Sequence, residues 1–170
     1  LESVKIFSRL RANDPDLYGE ITSQAMSMIE IAVTRDQRAF CLTVTSVDGR
    51  DEGLPSSWSA ALDGLCAGAE SEDAPRRLVC LSAGNIEMNE RTEYPSVNAL
   101  RPVKDPNQAW NAISVGAMTQ KTTVDDPMVQ HWKTIADTDS LSPSSRTSTV
   151  WKNTWPFKPD IVMEGGNNAI

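Results

Sequence analysis

Two short runs, "AFCLTV" at 39–44 and "RRLVCLS" at 76–82, flank a stretch whose apolar residues recur at helical spacing. No other feature of the sequence constrains the fold as much. Nearly continuous runs of strand-forming residues predict parallel strands covered on both sides, and joining two parallel strands takes a crossover, usually a helix. The intervening segment supplies one. Pro55, Ser56 and Ser57 mark a helix start, and Trp58, Ala61, Leu62, Leu65, Cys66 and Ala69 follow on one face. Gly64 and Gly68 inside it predict close backbone packing on their side.

The same alternation extends in both directions. "SVKIF" at 3–7 reads as a short strand, and Leu17, Ile21, Ala25, Met28, Ile29, Ala32 and Val33 predict a helix over 17–33. "NAISVGA" at 111–117 is a further strand, and "KPDIVMEGGN" at 158–167 a short one running into a glycine loop. Strand and helix in alternation predict an α/β fold of three layers, αβα, around a mostly parallel sheet. Two long irregular stretches, 85–105 and 118–158, are rich in Asn, Asp, Pro, Ser and Thr and read as functional loops or insertions.

Composition closes off several functions. A length of 170 residues suits one domain, 1–170. Lys and Arg number 16 against 23 Asp and Glu, a net charge of -7 with no basic cluster, so no nucleic-acid partner is expected. No apolar run approaches the roughly 18 residues of a membrane span, so no membrane partner is expected either. Three cysteines without C-x-x-C spacing predict buried free thiols rather than a disulfide or zinc framework. One histidine cannot build a His-based metal cluster, and neither metal nor cofactor is expected. The chain opens on Leu1 without the apolar core of a signal peptide and reads as a processed or excised piece.

The candidate chemistry sits where "LVCLSAGN" ends. In an open parallel sheet, sites form outside the carboxyl ends of the strands. Ser82, Ala83 and Gly84 have little side-chain bulk, so another backbone can approach closely, and Asn85 then offers uncharged N–H donors. Such a donor suits a carbonyl oxygen that is becoming negative. An asparagine after glycine is equally an ordinary turn residue, and the residues alone leave both readings open.

"LVCLSAGN", followed in order by "AWNAISVGAMT" (109–119), "LSPSSRTS" (141–148) and "KPDIVMEGGN", resembles the central part of the subtilisin-like serine proteases, the subtilases. Upstream, "VKIF" resembles the strand after the catalytic-histidine helix of that family, and "CLTVTS" its substrate-lining strand. "SSWSAALDGLC" resembles the helix before the oxyanion-hole strand, and the likeness runs from about Val4 to Asn167. It implies an incomplete subtilisin-like fold and a peptide hydrolase acting on peptides or proteins. In that family a serine attacks the carbonyl, activated by a histidine that an aspartate orients. The resemblance further implies that Asn85 is the oxyanion donor. Thr45, Ser46 and Val47 would line one wall of the S1 pocket, and Ser82, Ala83 and Gly84 the other.

The departures are informative as well. No "HGT" or "GTS" segment occurs, so all three triad residues are expected outside these residues, the aspartate and histidine before and the serine after. Residues 1–170 would then be a single partial domain, inactive alone, with exposed sheet edges open to self-association. Where the family usually has Ser-Leu-Gly this chain has Thr45-Ser46-Val47, and Val47 predicts a narrower pocket. The runner-up reading is a stand-alone doubly wound binding module or a pseudoenzyme without catalysis. A dinucleotide domain is disfavoured, because no G-x-G-x-x-G follows the first strand.

Other chemistry-bearing residues have plainer readings. His131, beside Trp132, reads as a loop histidine, and Asp137 and Asp139 as a solvated turn. Ser142, Ser144, Ser145 and Ser148 lack a base or a nucleophile elbow and read as polar loop groups. Asp63 reads as a helix-surface acid.

Overall fold

In the computed structural model, which describes residues 1–7, 13–35, 37–46, 53–152 and 156–170, the crossover between the two runs is built as expected. Strand β1 (Ala39–Leu42) leads to the helix numbered α2 (Ser57–Ala67) and then to β2 (Leu78–Ser82). Ser56 caps α2 by accepting from the Ser59 amide at 2.9 Å while its own amide donates to the Ser59 hydroxyl at 2.9 Å. Those reciprocal bonds satisfy donors the first helical turn would leave unpaired. Gly68 ends the helix at φ +69°, where a Cβ would stand 2.6 Å from the Ala74 carbonyl oxygen, so only glycine fits. Gly68 is thus a cap rather than an interior packing residue. A Cβ at Gly64 would meet nothing within 4 Å, so the close packing expected there is absent.

Helix α1 (Tyr18–Ala32) precedes β1 and follows a single 3-10 turn at Pro15–Leu17, which Asp14 caps. Its buried face is Gly19, Thr22, Ala25 and Met26, rotated from the expected one, and Leu17, Met28 and Val33 are exposed. The cause is the partner helix. A Cβ on Gly19 would lie 2.9 Å from Cβ of Ala61, and the Trp58 indole N–H donates to the Thr22 hydroxyl at 2.9 Å. Close helix contact selects small and hydroxyl residues that a hydrophobic period does not register. Arg77 ties α1 to the entry of β2 through a two-pronged ion pair with Glu30, 2.8 and 3.1 Å.

The five-stranded sheet has β1, β2, β3 (Ile113–Thr119) and β5 (Ile161–Glu164) parallel, with β4 (Ser140–Leu141) antiparallel on β3. A short helix, α3 (Ser96–Leu100), lies between β2 and β3. This is the α/β class with a mostly parallel sheet. Successive strand side chains alternate faces. Phe40, Val79 and Leu81 therefore meet Met26, Trp58, Leu62, Leu65 and Cys66 in the core, while Ala39, Cys41 and Leu78 are exposed on the other face.

Coverage on both sides, expected for 39–44, is accordingly not found among the described residues, where both long helices pack on one face. The cysteines follow from this. Cys66 is buried, Cys80 half-buried and Cys41 exposed, so only one is the buried thiol expected. Burial pushes the Cys66 thiol up to about 11, with the Asp63 carboxylate acting in the same direction.

Residues 1–7 form no strand. A groove of about 670 Å³ separates them from β1, floored by Thr22, Ala25, Met26 and Ile29 of α1. Among the described residues, no helix is long and apolar enough to cross a membrane and no group of three His, Cys, Asp or Glu could hold a metal.

Candidate active site

The parallel register pairs Leu42 with Leu81, so the segments leaving β1 and β2 emerge together at one end of the sheet. Thr45 and Ser46 follow one strand, and Ser82 to Asn85 end and follow the other. Gly84 has φ +87°, and a Cβ there would lie 3.3 Å from Cδ of Arg146 and 3.4 Å from Cγ of Lys104. That backbone turn points Asn85 away from the core: the residue is exposed, and its carboxamide bonds to no described residue. The backbone beneath it is nevertheless fixed. The Asn85 carbonyl accepts from Nε of Arg146 at 2.7 Å, and the Ile86 amide donates to the Ser144 carbonyl at 2.9 Å. An open carboxamide on a peptide held from both sides can face a substrate oxygen from a preset position.

Segment 104–107 bridges the two strand ends. The Lys104 amide donates to the Ala83 carbonyl at 3.4 Å, and the Asp105 carbonyl accepts from the Ser46 amide at 2.9 Å. The hydroxyl of the helix cap Ser56 donates to the Asp105 carboxylate at 2.5 Å, joining this bridge to α2. Asn107, fully buried, uses its amide nitrogen to hold the carbonyls of Ser82 at 2.6 Å and Lys104 at 2.8 Å. Its oxygen accepts from the Ser114 hydroxyl at 2.5 Å. The Ser114 amide in turn donates to Asp160, which pairs at 2.6 Å with the buried Lys158 ammonium. Buried polar groups that are all paired rigidify what they touch, and here that is the segment leaving β2 at Ser82.

The structure brings most of the expected site residues to one end of the sheet. Ser82 and Gly84 are half-buried, Ala83 and Ser46 are buried, Thr45 is half-buried, and Val47 lies outside the described residues. His131 is exposed and stacks edge-on against Trp132 at 6.4 Å, within the loop that follows β3. Asp63, half-buried, accepts from the Asn111 amide at 2.7 Å and so anchors the loop before β3. The serines of 142–148 lie in the loop after β4, as expected of polar loop groups, but most of them are turned inward. Ser142, Ser145 and Ser148 are buried, and the Ser145 hydroxyl accepts from the Ala117 amide at 3.0 Å.

The model of the family described as "Subtilase family" matches residues 1–170. The chain belongs to the subtilase family. No curated protein and no solved structure matches it. The subtilase family is one of serine peptidases, hydrolases whose substrates are peptides or proteins.

Three residues at this end of the subtilase sheet are not singled out by the sequence: Lys104, Asn107 and Arg146. Asn107 carried a faint signal, a polar pair with Gln108 set just before an apolar strand, since buried polar residues so placed usually hold backbone. Arg146 carried none, standing among serines and threonines in a segment without periodicity.

Proposed function

We propose that these residues are the central segment of the catalytic domain of a serine endopeptidase, with Asn85 as the side-chain donor of its oxyanion hole. The walls of the pocket for the residue preceding the scissile bond are Thr45, Ser46 and Val47 on one side and Ser82, Ala83 and Gly84 on the other. Serine, histidine and aspartate of the triad come from segments outside this sequence, because the motifs that carry them are absent from it.

In the reaction the serine oxygen adds to the scissile carbonyl carbon as the histidine takes its proton. Electron density moves to the carbonyl oxygen, and the N–H of Asn85 meets that charge without having to reorganise. Collapse of the tetrahedral intermediate expels the amine, which receives the proton from the histidine, and leaves an acyl-enzyme for water to hydrolyse.

One observation carries this reading. The Asn85 carboxamide is exposed and bonds to no described residue, on a peptide held at both its carbonyl and the next amide, at the sheet end it shares with Thr45 and Ser46. A turn asparagine would usually spend its side chain on its own loop backbone.

A fluorophosphonate probe tests the reading, since it labels only an activated serine. The full-length protein is expected to be labelled at one serine outside this sequence, and the 170-residue chain alone not at all. Absence of label on folded full-length protein would favour the binding-module reading instead.

A further inference from the structure

Arg146 is only 7% exposed, and its guanidinium reaches two stretches of backbone. Nε donates to the Asn85 carbonyl at 2.7 Å, and one terminal nitrogen donates to the Pro102 carbonyl at 3.1 Å. Its own segment is laced between the same two stretches. Asn85 bridges to Ser145 on one side, and Val103 donates to the Thr147 carbonyl at 2.9 Å on the other. Asn98 of α3 fixes this segment from behind, donating to the carbonyls of Ser142 at 3.0 Å and Ser145 at 2.8 Å. One planar cation therefore joins the peptide carrying Asn85 to the chain that enters the 104–107 bridge.

We propose that Arg146 is a positioning residue for peptide hydrolysis: it fixes the peptide unit of Asn85, and with it the direction of the carboxamide, and sets a permanent positive charge behind the forming oxyanion. The proposal rests on the reading of Asn85 as oxyanion donor. Three physical points carry it. Gly84, immediately before Asn85, is the residue of the segment with the widest backbone freedom, so the direction of Asn85 has to be imposed from outside the segment. Charge-assisted bonds to carbonyls are about twice as strong as neutral ones, and a fork bonded to two carbonyls sets an angle that a single donor cannot. An oxyanion donor works by being in place beforehand, and misplacement by about 1 Å costs on the order of 100-fold in rate. Lysine keeps the charge and loses the fork, which separates the two contributions.

The test is a double-mutant cycle in the full-length protein, with kcat and KM on a peptide substrate for Arg146→Met and Arg146→Lys, each in the native and the Asn85→Ala backgrounds. Arg146→Met is expected to lower kcat about 10-fold to 100-fold with KM within about twofold, and to lower it less than about twofold once Asn85 is Ala. Arg146→Lys is expected to fall between Met and Arg. Should Arg146→Met fail to fold, Arg146→Lys carries the cycle, with a loss in the native background that disappears in the Asn85→Ala background. Equal losses in both backgrounds, or no loss, would overturn the positioning role while leaving Asn85 in place. An Asn85→Ala variant that keeps full activity would instead overturn the reading beneath it.

Discussion

Asn85→Ala in the full-length protein is expected to lower kcat on a peptide substrate by about 10² to 10³-fold while KM changes little. That magnitude is the one known for the corresponding donor of subtilisin itself, a member of this family, rather than one obtained from this geometry. The direction and the kcat-against-KM split do follow from the site. An uncharged donor aimed at a carbonyl oxygen gains most when that oxygen becomes an anion, so its removal costs the transition state more than the bound substrate. Folding should be untouched, because the carboxamide is exposed and bonds to no described residue. A fall smaller than about threefold would show that Asn85 is a turn residue after all.

Trp58→Ala is expected to destabilise the full-length protein by about 3–5 kcal/mol, read from denaturant unfolding. The indole is 1% exposed and sits between the two long helices and the sheet. It meets Tyr18 edge-on at 4.9 Å and Phe7 at 6.2 Å. Its N–H donates to the Thr22 hydroxyl at 2.9 Å, and that hydroxyl donates onward to the Tyr18 carbonyl at 2.8 Å. Removing the ring opens a cavity at the joint between α1 and α2, a close contact between backbones that cannot collapse inward much further. Trp58→Phe keeps most of the volume and loses the hydrogen bond, for about 1 kcal/mol. A loss below about 1 kcal/mol for Trp58→Ala would mean that the helices do not depend on this packing.

The elements that were legible are those whose side chains settle their own structure. Ser56 and Ser59 cap α2 through local bonds, and Trp58, Leu62 and Leu65 bury one face of it, so both start and face follow from sequence. The apolar runs of β1 and β2 fixed where strands form. What failed was set by partners distant in sequence. The face of α1 turned toward small residues because Ala61 and Trp58 approach Gly19 and Thr22. Residues 3–7 read as a strand by composition, yet a groove rather than a strand pairing lies between them and β1. Strand β3 runs to Thr119, two residues past the expected end, because Met118 and Thr119 find partners in Leu141 and Ser140.

The site divides the same way. Asn85 and the small residues before it form a contiguous string with a readable meaning. Its support does not. Asn107 reaches Ser82 across 25 positions, and Arg146 reaches Asn85 across 61. Contacts of that range leave no local pattern, and a polar residue destined to hold backbone in the interior is spelled like one destined for solvent.

We propose above all that the side-chain N–H of Asn85 stabilises the negative charge formed on the substrate oxygen. A crystal structure of the full-length protein with a peptidyl boronic acid bound as a tetrahedral adduct tests it most directly. Nδ2 of Asn85 is expected about 2.7–3.1 Å from one boronate oxygen, with the Arg146 bond to the Asn85 backbone carbonyl intact. A boronate whose oxygens are all held by other donors, with the Asn85 side chain beyond about 4 Å, would contradict the account.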